Sequence, residues 1–231
     1  MGNNDVNLLV LGKGKMGSLV MELARERGHW VETHDEFDNP HARMLTPERL
    51  REIDVVADFT WPDAVLENIA ACTRAGTNIL VGTTGWYDKL AEVRAQVQTS
   101  GIGFLYGANF SIGVNLFFEI ARAAAPALKL GFTGRIRETH HIHKKDAPSG
   151  TASKLQAEIA AASGASVSIE SVREGEVVGI HEVQLDSPTE TITLSHSAKS
   201  RVAFAEGAIR GAEWLRGNRG FYDFKDVFGE V

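Results

Sequence analysis

A single cysteine, Cys72, in 231 residues leaves no partner for an internal disulfide. Its apolar neighbours in a helical pattern make it a small buried hydrophobe rather than a nucleophile. No stretch approaches the roughly 20 consecutive apolar residues that span a bilayer. The opening MGNND has no basic region followed by an apolar one. Membrane and secreted classes are therefore not expected, and a reducing cytoplasm is. Runs of positive charge are also missing: the longest is the pair Lys144-Lys145, and 24 Lys and Arg stand against 30 Asp and Glu, a net charge of −6. Nucleic acid is accordingly not an expected partner. Low-complexity tracts and internal repeats are absent, and 43% of the positions are hydrophobic. At about 100–200 residues per domain, this composition describes a globular chain of one large or two small domains, with two preferred.

The apolar run Asn7-Leu8-Leu9-Val10-Leu11 has strand length and leads directly into Gly12-Lys13-Gly14-Lys15-Met16-Gly17. Met16, Leu19, Val20, Leu23 and Ala24 then mark one helical face ending near Gly28. Further strands are expected at Trp30–His34, Asp54–Phe59, Asn78–Val81 and Gly103–Tyr106, with helices from Pro62 to Gly76 and from about Asp88 to Ser100. Strands separated by helices predict a doubly wound parallel sheet. After Asn109 the pattern changes. A helix carrying Leu116, Phe117, Ile120, Ala121 and Ala124 precedes a long strand-like stretch, Phe132 to His143, and a helix from about Thr151 to Ala162. Strands at Ser166–Val172, Val177–Leu185 and Glu190–Ser195 then follow one another without helices, predicting a second domain with an antiparallel or mixed sheet. Phe204, Ala208, Ile209, Ala212 and Leu215 form a last helical face before the tail Phe221–Phe224. Pattern alone assigns that helix to neither domain.

Gly12-x-Gly14-x-x-Gly17 follows a strand and opens a helix, and Asp35 stands 18 residues beyond Gly17 at the end of the second strand. In this setting the glycines allow a tight turn, close approach of backbone to a pyrophosphate and close helix packing, while the acid hydrogen-bonds an adenosine ribose. Asp35, Glu36 and Asp38 would repel a ribose 2′-phosphate, and no arginine directly follows Asp35, so NADH is favoured over NADPH. Lys13, Lys15 and Arg43 are the counterweight: near the 2′ position they would offset the repulsion and allow both cofactors.

Gly82-Thr83-Thr84-Gly85 closes a predicted strand, where it either lines the nicotinamide side of the crevice or is an ordinary strand-to-helix turn. The densest motif runs Glu138-Thr139-His140-His141-Ile142-His143-Lys144-Lys145-Asp146-Ala147-Pro148-Ser149-Gly150-Thr151-Ala152. Its Ser-Gly-Thr helix start offers hydroxyl and N–H donors to a carboxylate, its histidines exchange protons near neutral pH, and its lysines hold an anion or donate a proton. Strand alternation would aim His141 and His143 together and His140 away, and Asp146 or His181 could complete a metal site. The pattern matches no defined ligand spacing, and no metal is expected.

The glycine loop, Asp58-Phe59-Thr60, Val81–Gly85, Ala108-Asn109-Phe110-Ser111 and above all His140–Ala152 resemble the dihydrodipicolinate reductase family, in order along nearly the whole chain. The resemblance implies a Rossmann-like domain binding NADH or NADPH, residues 1–109 plus 202–231, and a mixed α+β domain, 110–201, that binds substrate and builds a homotetramer. It implies His140 as acid/base residue, Lys144 as proton donor, His141 as a substrate contact, and Gly150 and Thr151 as holders of a substrate carboxylate. The cofactor would meet Gly12, Lys13, Gly14, Lys15, Met16, Gly17 and Asp35, with Gly82, Thr83, Thr84, Ala108, Asn109 and Phe110. In an extended strand, at about 3.3 Å per residue, His140 and Lys144 would stand ~13 Å apart, so the chain must turn between them. The glycine loop, the Asp35–Asp58 segment and the Arg173–His181 loop are shorter than in longer members, and none of these changes touches His140–Thr151. Two other readings share these motifs: an NAD(H)-binding sensor without turnover, and a reductase of another small dicarboxylate. A complete proton-donor and carboxylate-binding run argues against the sensor.

Overall fold

Strands whose residues are apolar on both sides need cover on both faces, and the first part of the chain supplies it. The computed structural model describes residues 5–35 and 37–231; Glu36 of the acidic cluster and residues 1–4 lie outside the described residues. Strands β1 (Asn7–Leu11), β2 (Trp30–His34), β3 (Val55–Asp58), β4 (Asn78–Val81) and β5 (Gly103–Tyr106) are joined by β10 (Gly220–Asp223) in the order β10-β5-β4-β3-β1-β2, every pair parallel.

Alternation sorts the strand residues into two cores. Leu8, Val10, Val55, Ala57, Leu80 and Leu105 meet helices α1 (Lys15–Glu26) and α7 (Val202–Arg216). Leu9, Leu11, Val56, Ile79, Val81 and Phe104 meet α2 (Pro47–Leu50), α3 (Pro62–Ala75) and α4 (Leu90–Ser100) on the other face. Pro62 opens α3 and Gly76, at φ 76, ends it by donating to the Cys72 carbonyl, as proline and glycine do at helix ends. Cys72 is fully buried there, and burial raises its thiol pKa. The tail, given no element above, forms β10 and a last helical turn, α8 (Phe224–Val227), whose Phe224 packs on Phe110 at 4.8 Å between ring centroids.

The chain divides into a first unit that runs to Ile112 and resumes with Val202–Val231, and a second, Gly113–Arg201. The expected boundary at residue 109 moves to Ile112 because Phe110 and Ile112 pack in the first unit's core. The last helix also belongs to that core, through Ala205, Ala208, Ile209, Ala212 and Leu215.

In the second unit, β6 (Thr133–His140) lies between β7 (Ser168–Arg173), parallel to it, and β8 (Gly179–Asp186), antiparallel, with β9 (Thr191–Ala198) antiparallel to β8. Along β8 buried and half-buried residues alternate. Ile136, Val183 and Leu185 meet α5 (Ile112–Ala124) and α6 (Gly150–Ser163), while Arg135, Arg137 and Glu170 stand exposed. The stretch expected to stay extended to His143 stops at His140. There Glu174 N donates to the His140 carbonyl, Ile142 N to that of Gly175, and Lys144 N to that of His141, which turns the chain.

Candidate active site

In the first unit the three loop glycines differ in what surrounds them. Gly12 takes φ +93, and a Cβ there would lie 2.4 Å from the Phe59 carbonyl oxygen; at Gly17 it would lie 1.8 Å from that of Gly12. Gly14 has no such neighbour within 4 Å and faces open space. Thus Gly12 makes the turn, Gly17 lets the helix close on the strand, and Gly14 leaves room in front of the α1 N-terminus, whose first turn carries no acid. Free N–H groups, a positive dipole end and a cleared approach fit a dinucleotide pyrophosphate.

Asp35 closes the turn after β2: its Oδ1 accepts from the N–H groups of Phe37 (2.9 Å) and Asp38 (3.0 Å). Lys13 Nζ lies 3.5 Å from Asp35 Oδ2 and 2.7 Å from Asp38 Oδ2. The hydrogen bond with Lys13 lowers the Asp38 pKa and raises that of Lys13. Of the cations weighed against the acids, Lys13 is therefore beside them, while Lys15 and Arg43 are exposed.

Past β3 and β4 the polar groups turn inward. Asp58 is fully buried and accepts from Thr60 N (2.9 Å), Thr60 Oγ1 (2.7 Å), Asn68 Nδ2 (2.8 Å) and Thr83 Oγ1 (2.8 Å). The Thr83 hydroxyl is thus spent on joining two strand ends, whereas Thr84 is exposed. Phe110 is buried, and Asn109 Oδ1 accepts from Ser111 N at 2.8 Å. The Phe110 side chain belongs to the core of the first unit.

The second unit gathers its polar groups at the end of β6. Glu138 and His140 share the buried face, two positions apart. Register sets His181 of β8 opposite Glu138 and Arg173 of β7 opposite His140. Glu138 Oε1 accepts from Arg173 Nη2 at 3.0 Å and from Ser149 N at 3.2 Å, while Oε2 lies 2.6 Å from His140 Nδ1. That last contact is close but bent, so neither atom has a well-aligned hydrogen-bond partner. Burial alone would raise the Glu138 pKa, but hydrogen bonds from Ser171, Ser149 and Arg173 and the nearby His140 bring it down to about 2. Burial lowers the His140 pKa, and Lys144 and Arg173 lower it further against the pull of Glu138, leaving a neutral ring at neutral pH. Burial also takes His181 down to about 4.

Ser149 caps α6: its Oγ accepts from Ala152 N at 3.2 Å and lies 3.1 Å from His181 Nε2. The helix then starts at Gly150 with no acid in its first turn and nothing within 4 Å of where a Gly150 Cβ would be. Lys144 Nζ is 2.8 Å from Asp146 Oδ1, His141 is half-buried, and His143 is exposed near Glu176. His141 and His143 do lie side by side, with ring centroids 6.1 Å apart, although the strand has already ended and a turn rather than strand alternation brings them together. Among the described residues, Glu138, His140 and His181 offer ligand atoms within 4.8 Å of one another. Arg173 on Glu138, and the Lys144 charge felt by His140, already supply cations there, which disfavours a further one.

The sequence singles out Ser149 as a donor to a carboxylate and His181 as a possible metal ligand, but it gives Glu138 and Arg173 no role. The signal available for Glu138 was an acid two residues before His140 in a strand pattern; for Arg173 it was strand register, which spacing does not contain.

Models of dihydrodipicolinate reductase match the chain in two parts, the N-terminal one over residues 6–110 and the C-terminal one over residues 113–228. A 4-hydroxy-tetrahydrodipicolinate reductase of Christiangramia forsetii is 34% identical, covering 98% of this chain and 99% of that protein. One from Laribacter hongkongensis is 38% identical over 78% of this chain and 74% of its own length. Among solved structures, dipicolinate-bound dihydrodipicolinate reductase from Paenisporosarcina sp. TG-14 shares the fold, with TM-score 0.79 at 22% identity over 96% of this chain and 99% of that one.

Proposed function

The chain belongs to the dihydrodipicolinate reductase family, and from that premise we propose that it reduces 4-hydroxy-tetrahydrodipicolinate to tetrahydrodipicolinate with a reduced nicotinamide cofactor, in diaminopimelate and lysine biosynthesis. The observation that carries this reading is the end of β6, where a neutral buried histidine, a lysine and an open helix start come from one run of sequence.

Loss of water leaves an unsaturated ring, and reduction adds a hydride and a proton across it. The cofactor supplies the hydride. The N–H groups of Gly150 and Thr151 hold a ring carboxylate at the start of α6, and His141 contacts the substrate. Lys144 delivers the proton from Nζ, and His140 exchanges a proton at its ring. In the first unit the Gly12–Gly17 loop, with Lys13, Lys15 and Met16, holds the pyrophosphate, and Asp35 meets the ribose. Gly82, Thr83, Thr84, Ala108, Asn109 and Phe110 border the nicotinamide, Thr83 and Phe110 through their backbones.

NADH is the preferred cofactor in this proposal, since Asp35 and Asp38 face the ribose position, with some use of NADPH through Lys13. The enzyme works as a cytoplasmic homotetramer. Leu116, Ile120, Leu130 and Ile192, exposed on the second unit, give such an assembly apolar surface to bury, and light scattering that returned a monomer would contradict it.

The test is oxidation of NADH and NADPH by the purified protein while its unstable substrate is generated in the cuvette by the synthase from pyruvate and aspartate semialdehyde. Turnover with a preference for NADH is expected. Tight NADH binding without turnover would point to a sensor.

A further inference from the structure

A histidine that exchanges protons needs a defined tautomer and a fixed ring, and the end of β6 holds a group suited to impose both. Glu138 is completely buried, and its two oxygens have separate duties. Oε1 is anchored by Arg173 Nη2 at 3.0 Å and by Ser149 N at 3.2 Å, so β7 and the cap of α6 fix the carboxylate from two sides. Oε2 has no aligned donor of its own and stands 2.6 Å from Nδ1 of His140. A carboxylate oxygen only accepts, so at 2.6 Å a proton on Nδ1 is favoured over a lone pair, even though the contact is bent. Nε2 is then left as the lone-pair nitrogen. It sits 3.0 Å from where a Cβ on Gly179 would be, so glycine at that strand start keeps the nitrogen uncovered.

We propose that Glu138 is a positioning residue of the reductase, holding His140 in the Nδ1–H tautomer with Nε2 free for proton exchange. The inference rests on the reading of His140 as the acid/base group. The charged and titratable groups around the ring are Glu138 on its own strand, Arg173 on β7, His181 on β8 with its ring centroid 5.1 Å away, and Lys144 on the turn, itself paired with Asp146. Among these Glu138 alone favours the protonated imidazole; burial, Lys144 and Arg173 all oppose it. Its charge therefore sets where His140 titrates, as well as which nitrogen holds the proton.

Glu138→Gln separates this role from simple packing. Glutamine keeps a carbonyl oxygen for Arg173 and Ser149, but it loses the charge and offers His140 an N–H in place of an acceptor. With the full-length enzyme, kcat is expected to fall by about 100-fold, the lower end of what general acid–base catalysis contributes, with KM for substrate and NADH nearly unchanged. The limb of the pH–rate profile that belongs to His140 is expected to move to lower pH. An unmoved limb, or a loss confined to KM, would overturn the proposal. Should the variant fail to fold, the tautomer of the wild type decides by itself: nitrogen-15 NMR of the imidazoles is expected to show His140 protonated at Nδ1, and a proton at Nε2 would refute the assignment. Retained turnover in His140→Asn would sink the acid/base reading of the histidine, whereas the tautomer measurement tests the hold of Glu138 on it separately.

Discussion

At the scale of single residues, the chemistry concentrates in a few side chains whose removal should be selective. Lys144→Ala is expected to lower kcat by about 100-fold or more, as loss of a proton donor does, and to leave the NADH dissociation constant unchanged in a fluorescence titration. Loss of NADH binding would instead move Lys144 out of its proposed role. Lys13→Ala acts on cofactor choice. It uncovers Asp35 and Asp38, so the ratio of kcat/KM for NADPH to that for NADH should fall by about fivefold, a modest effect as befits an exposed ion pair. A ratio that rose would show that Lys13 does not face the 2′ position. The glycines divide by what lies in front of them. Gly14→Ala meets no neighbour and should cost at most about 1 kcal/mol as a poorer N-cap while weakening NADH binding, whereas Gly17→Ala drives a methyl into the Gly12 carbonyl and should destabilise the fold itself. At this scale the roles proposed for His140 and Lys144 come from the family resemblance of the run in which they stand. Glu138 lay inside the same run and went unassigned, since its partners Arg173 and His181 arrive only through strand pairing.

At the scale of elements, α6 joins stability to binding. Its cap, Ser149, satisfies Ala152 N and touches His181, and its first turn is the proposed carboxylate site. Ser149→Ala should cost about 1 kcal/mol, the usual worth of an N-cap, and lower Tm by about 2–4 °C for a chain of this size. It should also raise KM for substrate, because the cap orders the N–H groups that hold the carboxylate; a Tm loss with unchanged KM would separate the helix from binding. Periodicity exposed most of these elements: apolar runs for β1, β3, β4 and β5, a helical face on α7, and proline and glycine at the ends of α3. It overran β6 by reading through to His143, since nothing in His-His-Ile-His marks the turn that hydrogen bonds from Ile142 and Glu174 create. It also passed over β10, whose four residues Gly-Phe-Tyr-Asp are too short for a period and become a strand by pairing with β5.

At the scale of the whole molecule, acid should act unevenly on the two units. Glu138, at about 2 against an ordinary 4.5, gives stability that is present above 4.5 and lost as pH falls towards 2. His181, at about 4 against 6.5, is neutral when folded and protonated when unfolded between those values, so its contribution also disappears as pH falls from 6.5 to 4. Both groups belong to the second unit, and all four tryptophans, Trp30, Trp61, Trp86 and Trp214, belong to the first. Below pH 6, circular dichroism should therefore register unfolding before tryptophan fluorescence does, and coincident transitions would contradict this division. The measurement that bears most directly on the central claim is deuterium transfer. Tetrahydrodipicolinate formed from NADH labelled with deuterium at the transferable position should carry one deuterium by mass spectrometry, and Lys144→Ala should slow formation of the labelled product by about 100-fold or more. NADH oxidised without label reaching that product, or bound tightly and never oxidised, would contradict the assignment of this chain as a reductase of 4-hydroxy-tetrahydrodipicolinate.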